Sequence, residues 1–405
     1  MGPAVLFSEM ISSIHMKYAA CLFILILLAA VIISAGCLSK SATEVPDITG
    51  RWTIASQTVH ENGQDGFIQP ALTNAVFDVA FQEGRLFSGT YAGTAFYGSF
   101  FSKDGTQFIL TSQAPQGEGN LSAVQIGTVV NENEIMLAGA VFSDTGRSLS
   151  EEQSVGTQSS ILLRNSAEAT AKIYPAISGV FTFDGGSLLS RDMLQAVSGG
   201  NLVVLGQKGG VFYGIADTGS ETEKAGGTDF SAVLYGGDKP EKILFVTGDG
   251  KLWFGSASHE IITVSSLDER MDKDHTAVKT LTYVLNGSTA GTQQAGLNFA
   301  GIWSTRDQEV ISKDGYDAGL PSDFIIGIGS QNTLGFIAKT SYMGVDEGET
   351  GGIVSSGGDA TLFRYDKNGG IYLGMGWAEG NTLSLSEIFT DADTEYVSTI
   401  RSVRI

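Results

Sequence analysis

Ile48-Thr49-Gly50-Arg51-Trp52-Thr53 is the stretch on which the fold turns, because it returns twice. The later copies are Ile177-Ser178-Gly179-Val180-Phe181-Thr182 and Phe299-Ala300-Gly301-Ile302-Trp303-Ser304. Each copy sets an apolar residue two before a glycine and an aromatic two after it, followed by a hydroxyl. Gly50, Gly179 and Gly301 lie 129 and 122 residues apart. Further along, Gln82 to Gly89 (QEGRLFSG), Gln207 to Gly214 (QKGGVFYG) and Gln331 to Ala338 (QNTLGFIA) keep a Gln, a Phe five places later and a Gly or Ala seven places later. Two signatures recurring in one order at a long period mark tandem copies of one structural unit.

The copies divide the chain into units at 48–165, 177–286 and 297–405, joined by polar linkers at 166–176 and 287–296. The units end on Ser160-Ile161-Leu162-Leu163-Arg164, on Thr282-Tyr283-Val284-Leu285-Asn286 and on Thr399 to Ile405. The first unit holds about eight strand-like runs, near 50–56, 76–82, 85–92, 95–102, 106–112, 122–130, 134–143 and 159–164. Phe77, Val79 and Phe81 alternate with Asp78 and Ala80, the period-two pattern of a half-buried strand. Asp104-Gly105 and Asp249-Gly250 read as type I′ hairpin turns. Phe183 to Val197 reads as one short helix after the first strand of the second unit. The fold class is therefore all-β: three tandem antiparallel barrel-like units of about eight strands each. The competing architecture is a six-bladed propeller, since 24 strands make six blades of four. A propeller would repeat at half this period, and the sequence carries no such half-repeat.

Composition narrows the function classes. Glycine is abundant at 53 residues and the formal net charge is −20. An acidic chain without clustered Lys and Arg is not expected to bind nucleic acid or an anionic membrane surface. The two cysteines, Cys21 and Cys37, both sit in or beside an apolar N-terminal run, so the body has neither a disulfide framework nor a Cys-ligated metal site.

That run, Ala19 to Ala35, follows Met16-Lys17 and ends in Ser34-Ala35-Gly36-Cys37. A charged residue, an apolar core and small residues before a cysteine make a secretory signal over residues 1–37, with translation starting at Met1 or Met16. The ending resembles the lipobox of prokaryotic lipoproteins, with Ser34 where Leu is usual. The resemblance implies lipidation of Cys37, a polar tether over 38–47, and a body held to the outer face of the cytoplasmic membrane, with the lipid bilayer as its partner.

Eight antiparallel strands opening on Gly-x-Trp and closing on a strand with Arg resemble the up-and-down barrels of lipocalins and avidins. The resemblance implies that the first-strand aromatic closes one barrel end and that a last-strand Arg lies across it, a cation–π contact of roughly 0.5–2 kcal/mol. The implied pairs are Trp52 with Arg164, and Trp303 with Arg401 or Arg404. The middle unit carries Phe181 and no late Arg. The layout also resembles repeat-bearing cell-surface lipoproteins of methanogenic archaea, through Glu83-Gly84-Arg85-Leu86-Phe87-Ser88-Gly89 and Glu134-Ile135-Met136-Leu137.

Reactive constellations are sparse. His60 (read as a loop residue), His259 and His275 have no metal-ligand spacing, so no metal, cofactor or catalytic residue is assigned. The run Asp268 to Asp274 alternates in sign as a solvated loop does, and Asp391-Ala392-Asp393-Thr394-Glu395 lacks the glycine and late Glu of a calcium loop. Tyr91, Trp253 and Trp377 are the candidates for lining a barrel mouth around a small ligand or glycan. The expected function is a noncatalytic envelope lipoprotein that binds a small molecule, a glycan or a surface protein. The alternatives are a structural or adhesive spacer and, third, an acid-pair hydrolase using Asp272 and Asp274.

Overall fold

The computed structural model describes residues 45–70, 75–112, 121–143, 154–165, 167–190, 193–219, 227–237, 240–268, 277–285, 299–318, 324–331, 335–342, 345–354, 359–365, 371–390 and 395–404. The signal, Cys37, the linker at 287–296, His275, and most of the two acidic runs lie outside these residues. Val45–Ile405 forms one compact unit.

Every regular element among the described residues is a strand. The first barrel holds β1 (Gly50–Glu61), β2 (Val76–Glu83), β3 (Leu86–Tyr91), β4 (Thr94–Phe100), β5 (Gln107–Ser112), β6 (Leu121–Asn131), β7 (Glu134–Ser143) and β8 (Gly156–Leu163). These pair in order and close through β1 and β8. The second sheet holds β9 (Gly179–Ser190), β10 (Met193–Ala196), β11 (Leu202–Lys208), β12 (Val211–Ala216), β13 (Thr228–Tyr235), β14 (Lys242–Thr247), β15 (Leu252–Ala257), β16 (Ile261–Asp268) and β17 (Ala277–Leu285), and closes through β9 and β17. The third holds β18 (Gly301–Ser312), β19 (Gly315–Ala318), β20 (Phe324–Gln331), β21 (Gly335–Tyr342), β22 (Val345–Val354), β23 (Asp359–Tyr365), β24 (Ile371–Glu379), β25 (Thr382–Thr390) and β26 (Glu395–Arg404), and closes through β18 and β26. Sheets closed on themselves rule out propeller blades.

The reading of three antiparallel barrel-like units of about eight strands each holds, and four finer expectations need correction. The second and third sheets have nine strands, because β9 and β18 run 12 residues and outlast their pairing with the next long strand. The short returns β10 and β19 cover the remainder. The segment read as a helix is therefore the β9–β10 hairpin. In the first barrel a single bridge, Val59 to Ile68, stands at that place, and Val59, Leu188 and Val310 are each nine residues after their glycine. Gly105 and Gly250 have φ of 72° and 88°, whereas Asp104 and Asp249 are not left-handed, so neither turn is type I′. His60 is in β1, not in a loop, and is 1% exposed. Phe81 does not continue the inward face of β2: a bulge between Val79 and Phe81 turns it outward to meet Tyr316.

The sequence signatures have physical reasons. Trp52 and Trp303, both fully buried, donate their indole N–H groups to the carbonyls of Ile48 (2.9 Å) and Phe299 (3.0 Å), pinning the chain that leads into each barrel. Gln82 accepts from Ile48 N (3.0 Å) and donates to Pro46 O (3.0 Å); Gln207 does the same with Ile177 N (2.7 Å) and Pro175 O (2.8 Å). Each Gln thus serves one orphan donor and one orphan acceptor of an incoming strand. A bulge falls five residues after each glycine, at Ala55, Asp184 and Arg306, and another two residues before each Gln. Bulges sharpen strand twist, which closing a small barrel requires.

The barrel walls are buried on both faces. Inward side chains form a separate core in each barrel. Outward ones, including Ile109, Phe142, Leu244, Phe254, Leu373 and Ile388, meet in one further cluster drawn from all three barrels. This explains why β5 and β14 read as unbroken apolar runs (FIL and ILFV) and not as alternating ones.

Candidate functional site

The interior of the first barrel changes character along its axis. At the Trp52 end, Phe77, Phe87, Phe96, Phe100 and Phe108 fill it, with Phe77 stacked on Phe96 at 4.6 Å. Rings of this size fit because glycines face them. A Cβ on Gly127 would stand 2.0 Å from Phe108, and one on Gly98 would stand 2.3 Å from Phe87. Arg164 caps this end, its guanidinium 4.4 Å from the centroid of Trp52 and donating to the carbonyls of Glu132, Thr49 and Asp47.

Beyond the rings the same inward rows turn polar. On β8, Leu162 is followed inward by Ser160 and Gln158; on β6 and β7, Gln125 pairs with Gly139; on β1, Gln57 pairs with Ser160. A Cβ on Gly139 would lie 2.9 Å from Gln158 Cγ and 3.3 Å from Gln125 Cγ, which places both glutamines over one glycine. Gln57 Nε2 donates to Gln158 Oε1 (2.9 Å) and to the Tyr91 hydroxyl (3.3 Å). Burial raises the pKa of Tyr91, opposed by Ser160 and Gln57, so its hydroxyl stays protonated at neutral pH. Gln125 is 5% exposed and Ser160 1%, yet Gln125 Oε1 meets no hydrogen-bond partner. Ser160 Oγ stands close enough to influence Tyr91 without meeting any group in hydrogen-bonding geometry. A buried polar atom left unpaired costs roughly 1–3 kcal/mol, so this layer is either destabilising or completed by something it binds.

The three aromatic candidates separate. Tyr91 belongs to the polar layer, its ring edge-on to Phe77 at 6.0 Å. Trp253 is 1% exposed inside the second barrel's apolar core, and Trp377 lies beneath Arg85, whose guanidinium is 4.7 Å from its ring. Neither lines a mouth. Phe181 is fully buried and pairs with Leu285. Trp303 pairs across the ladder with Arg404, and Asp307 with Arg401; the side chains of both arginines lie outside the described residues. Sequence reasoning missed Gln57, Gln125, Gln158 and Ser160, which sit far apart in the chain and converge only when the barrel closes.

No family model matches the chain, and no curated protein does. Among solved structures it is similar to a protein of unknown function of the DUF3598 family from Nostoc punctiforme, at 9% identity over 88% of this chain and 96% of that one, with a TM-score of 0.22. It is also similar to transferrin binding protein B from Haemophilus parasuis, at 10% identity over 90% and 78%, with a TM-score of 0.21. A putative outer membrane protein from Bacteroides fragilis is similar at 9% identity over 56% and 98%, with a TM-score of 0.21. The architecture and the site described above stand on the chain's own geometry.

Two further features frame the site. Among the described residues no group of three or more His, Cys, Asp or Glu side chains is placed to hold a metal ion. An open surface cleft of about 470 Å³ lies outside the first barrel, with Arg51, Asp78 and Thr90 among its lining. Its walls are solvent-facing, whereas in the interior layer Gln125 and Ser160 are buried and Gln57, Gln158 and Tyr91 are half-buried.

Proposed function

We propose that the chain is a noncatalytic envelope protein, anchored through a lipidated Cys37, which holds a small ligand in the polar half of its first barrel. The reading of Ser34-Ala35-Gly36-Cys37 as a lipobox supports the anchor. The observation that carries the binding role is Gln125 Oε1, an acceptor buried inside a barrel and left unpartnered.

Gly139→Val tests the site. Its side chain would project between Gln158 and Gln125, which are flexible enough to yield, so the variant should fold and block the layer. A compound that raises the melting temperature of the wild-type chain is expected to lose that effect in Gly139→Val. Equal shifts in both proteins would locate binding elsewhere. For the anchor, Cys37→Ser should release the protein from membranes, and full retention would refute lipidation.

A structural spacer is the second reading, favoured by the apolar cluster shared among all three barrels, which fuses them into one block. A rigid block and an internal ligand are compatible, and the Gly139→Val comparison separates a spacer that binds nothing from one that does.

A further inference from the structure

Resting on that reading, we infer the class of ligand: a neutral, hydroxyl-bearing ring, held by the Gln57, Gln125, Gln158, Ser160 and Tyr91 layer. Charge is the first argument. The layer contains three amides and two hydroxyls, and its one ionisable member, Tyr91, is kept neutral by burial. An ion placed here would be stripped of water with no countercharge, which is strongly unfavourable.

Hydrogen-bonding character is the second. Amides and hydroxyls both donate and accept, and an amide can present either end to the same point. Gln57 has committed both N–H groups, to Gln158 and to Tyr91, leaving Gln125 Oε1 to seek a donor and Ser160 Oγ to take either role. Ligand hydroxyls match that mixed demand; an aprotic ligand would leave Gln125 unserved. The third argument is what lies beside the layer. The stacked Phe77 and Phe96 rings and Tyr91 give an apolar surface on one side, suited to the C–H face of a sugar or similar ring. A purely apolar ligand would fit that side and strand the amides.

The experiment is calorimetric titration of the full chain, in detergent, with neutral monosaccharides (glucose, galactose, mannose, N-acetylglucosamine) and with glucuronate and glucosamine as charged counterparts. At least one neutral sugar is expected to bind saturably, with Gln125→Leu and Gln158→Leu each weakening it by about tenfold or more. Gln125→Leu should keep its melting temperature, because it removes an unpaired amide without opening a void, whereas Gln158→Leu strands a Gln57 N–H and should lower it modestly. If only charged sugars bind, and Gly139→Val abolishes it, the site stands and the neutral class is overturned. If neutral sugars bind equally to wild type and Gly139→Val, the ligand class survives elsewhere and this layer is overturned as its site. If no sugar binds and Gln125→Leu raises the melting temperature, the unpaired amide is a structural cost and the inference fails together with the binding role.

Discussion

The first and second barrels share their bulges, their Gln clamps and their strand order, and differ in how the half away from the closing aromatic is filled. Following the ladders from the common bulge, Gln57 of the first barrel corresponds to Gly186 of the second, Ser160 to Leu281 and Gln158 to Lys279. Gly139 corresponds to Ser266, and Gln125, its partner, to Trp253, one step beyond the last pair of β15 with β16. One indole thus occupies the level at which the first barrel places three amides. Loops complete the filling: Gly200 N donates to Asp217 O (3.2 Å), Tyr283 donates to the same carbonyl (3.1 Å), and the Lys279 ammonium donates to Gly219 O (3.2 Å). One backbone plan therefore supports a barrel filled by an indole and a barrel lined by amides at the same level, and the choice rests on about four inward positions. The closing end differs too, with Trp52 under Arg164 in one barrel and Phe181, without a cation among the described residues, in the other.

The strongest way to break this comparison is to exchange the deciding residue. Trp253→Gln removes the largest side chain at that level of the second barrel and leaves an amide among Phe245, Ile262 and Leu281. A destabilisation of about 3–5 kcal/mol is expected. Gln125→Leu in the first barrel removes an unpaired amide for an apolar group of similar volume, and a change within about 1 kcal/mol of zero is expected, on either side. Urea denaturation of both variants checks the pair. Similar large losses would mean that Gln125 is as fully packed as Trp253, and the contrast would collapse.

Much of this plan was legible in the chain, and the reason differs from element to element. Gly-x-Trp and the Gln signatures recur because each residue meets backbone at a fixed place in the closure, so they leave a mark at a fixed spacing. The length of β1 was not legible. Its bulge at Ala55 shifts the side-chain alternation midway, which hid His60 among polar neighbours and made it look like a loop residue. The shared apolar seam was hidden because outward Ile109 and Val246 have the same composition as a core strand. The polar layer was hidden because Gln57, Gln125 and Gln158 have no local pattern; only antiparallel register joins them.

The closing ends supply a second, smaller test. Arg164→Ala removes the cation over Trp52 and three donations to backbone carbonyls, two of them at exposed positions. A loss of about 1–2 kcal/mol is expected, the cation–π part contributing roughly 0.5–2 kcal/mol. The second barrel closes over Phe181 with no such cation among the described residues, so the contact is expected to supplement closure and not to decide it. A loss far above this range would make Arg164 the sole clamp on residues 47–49 and not a supplement to Gln82.

The smallest effect is expected where the two barrels touch. His60 stacks on Tyr213 of the second barrel at 4.2 Å with the rings 15° apart, and Thr157 and Ser231 hydrogen-bond beside it. Its Nε2 faces the Gln64 carbonyl at 3.2 Å, while Nδ1 is buried without a partner. Burial holds the imidazole below its ordinary value of 6.5; the Gln64 carbonyl and the Asp229 carboxylate pull the other way without reversing it. The unfolded chain therefore takes up a proton near pH 6.5 that the folded chain resists, so stability falls as pH drops below about 6.5 and levels once the folded group is also protonated. Asp47 works in a separate window: hydrogen bonds from Thr49 hold its carboxyl below 3.8, so its stabilisation is present above that value and lost only in stronger acid. Melting curves between these two windows isolate the seam. His60→Phe keeps a ring against Tyr213, removes the titration and should flatten the curve, whereas an unchanged slope would assign the acid sensitivity to groups outside the contact between the barrels.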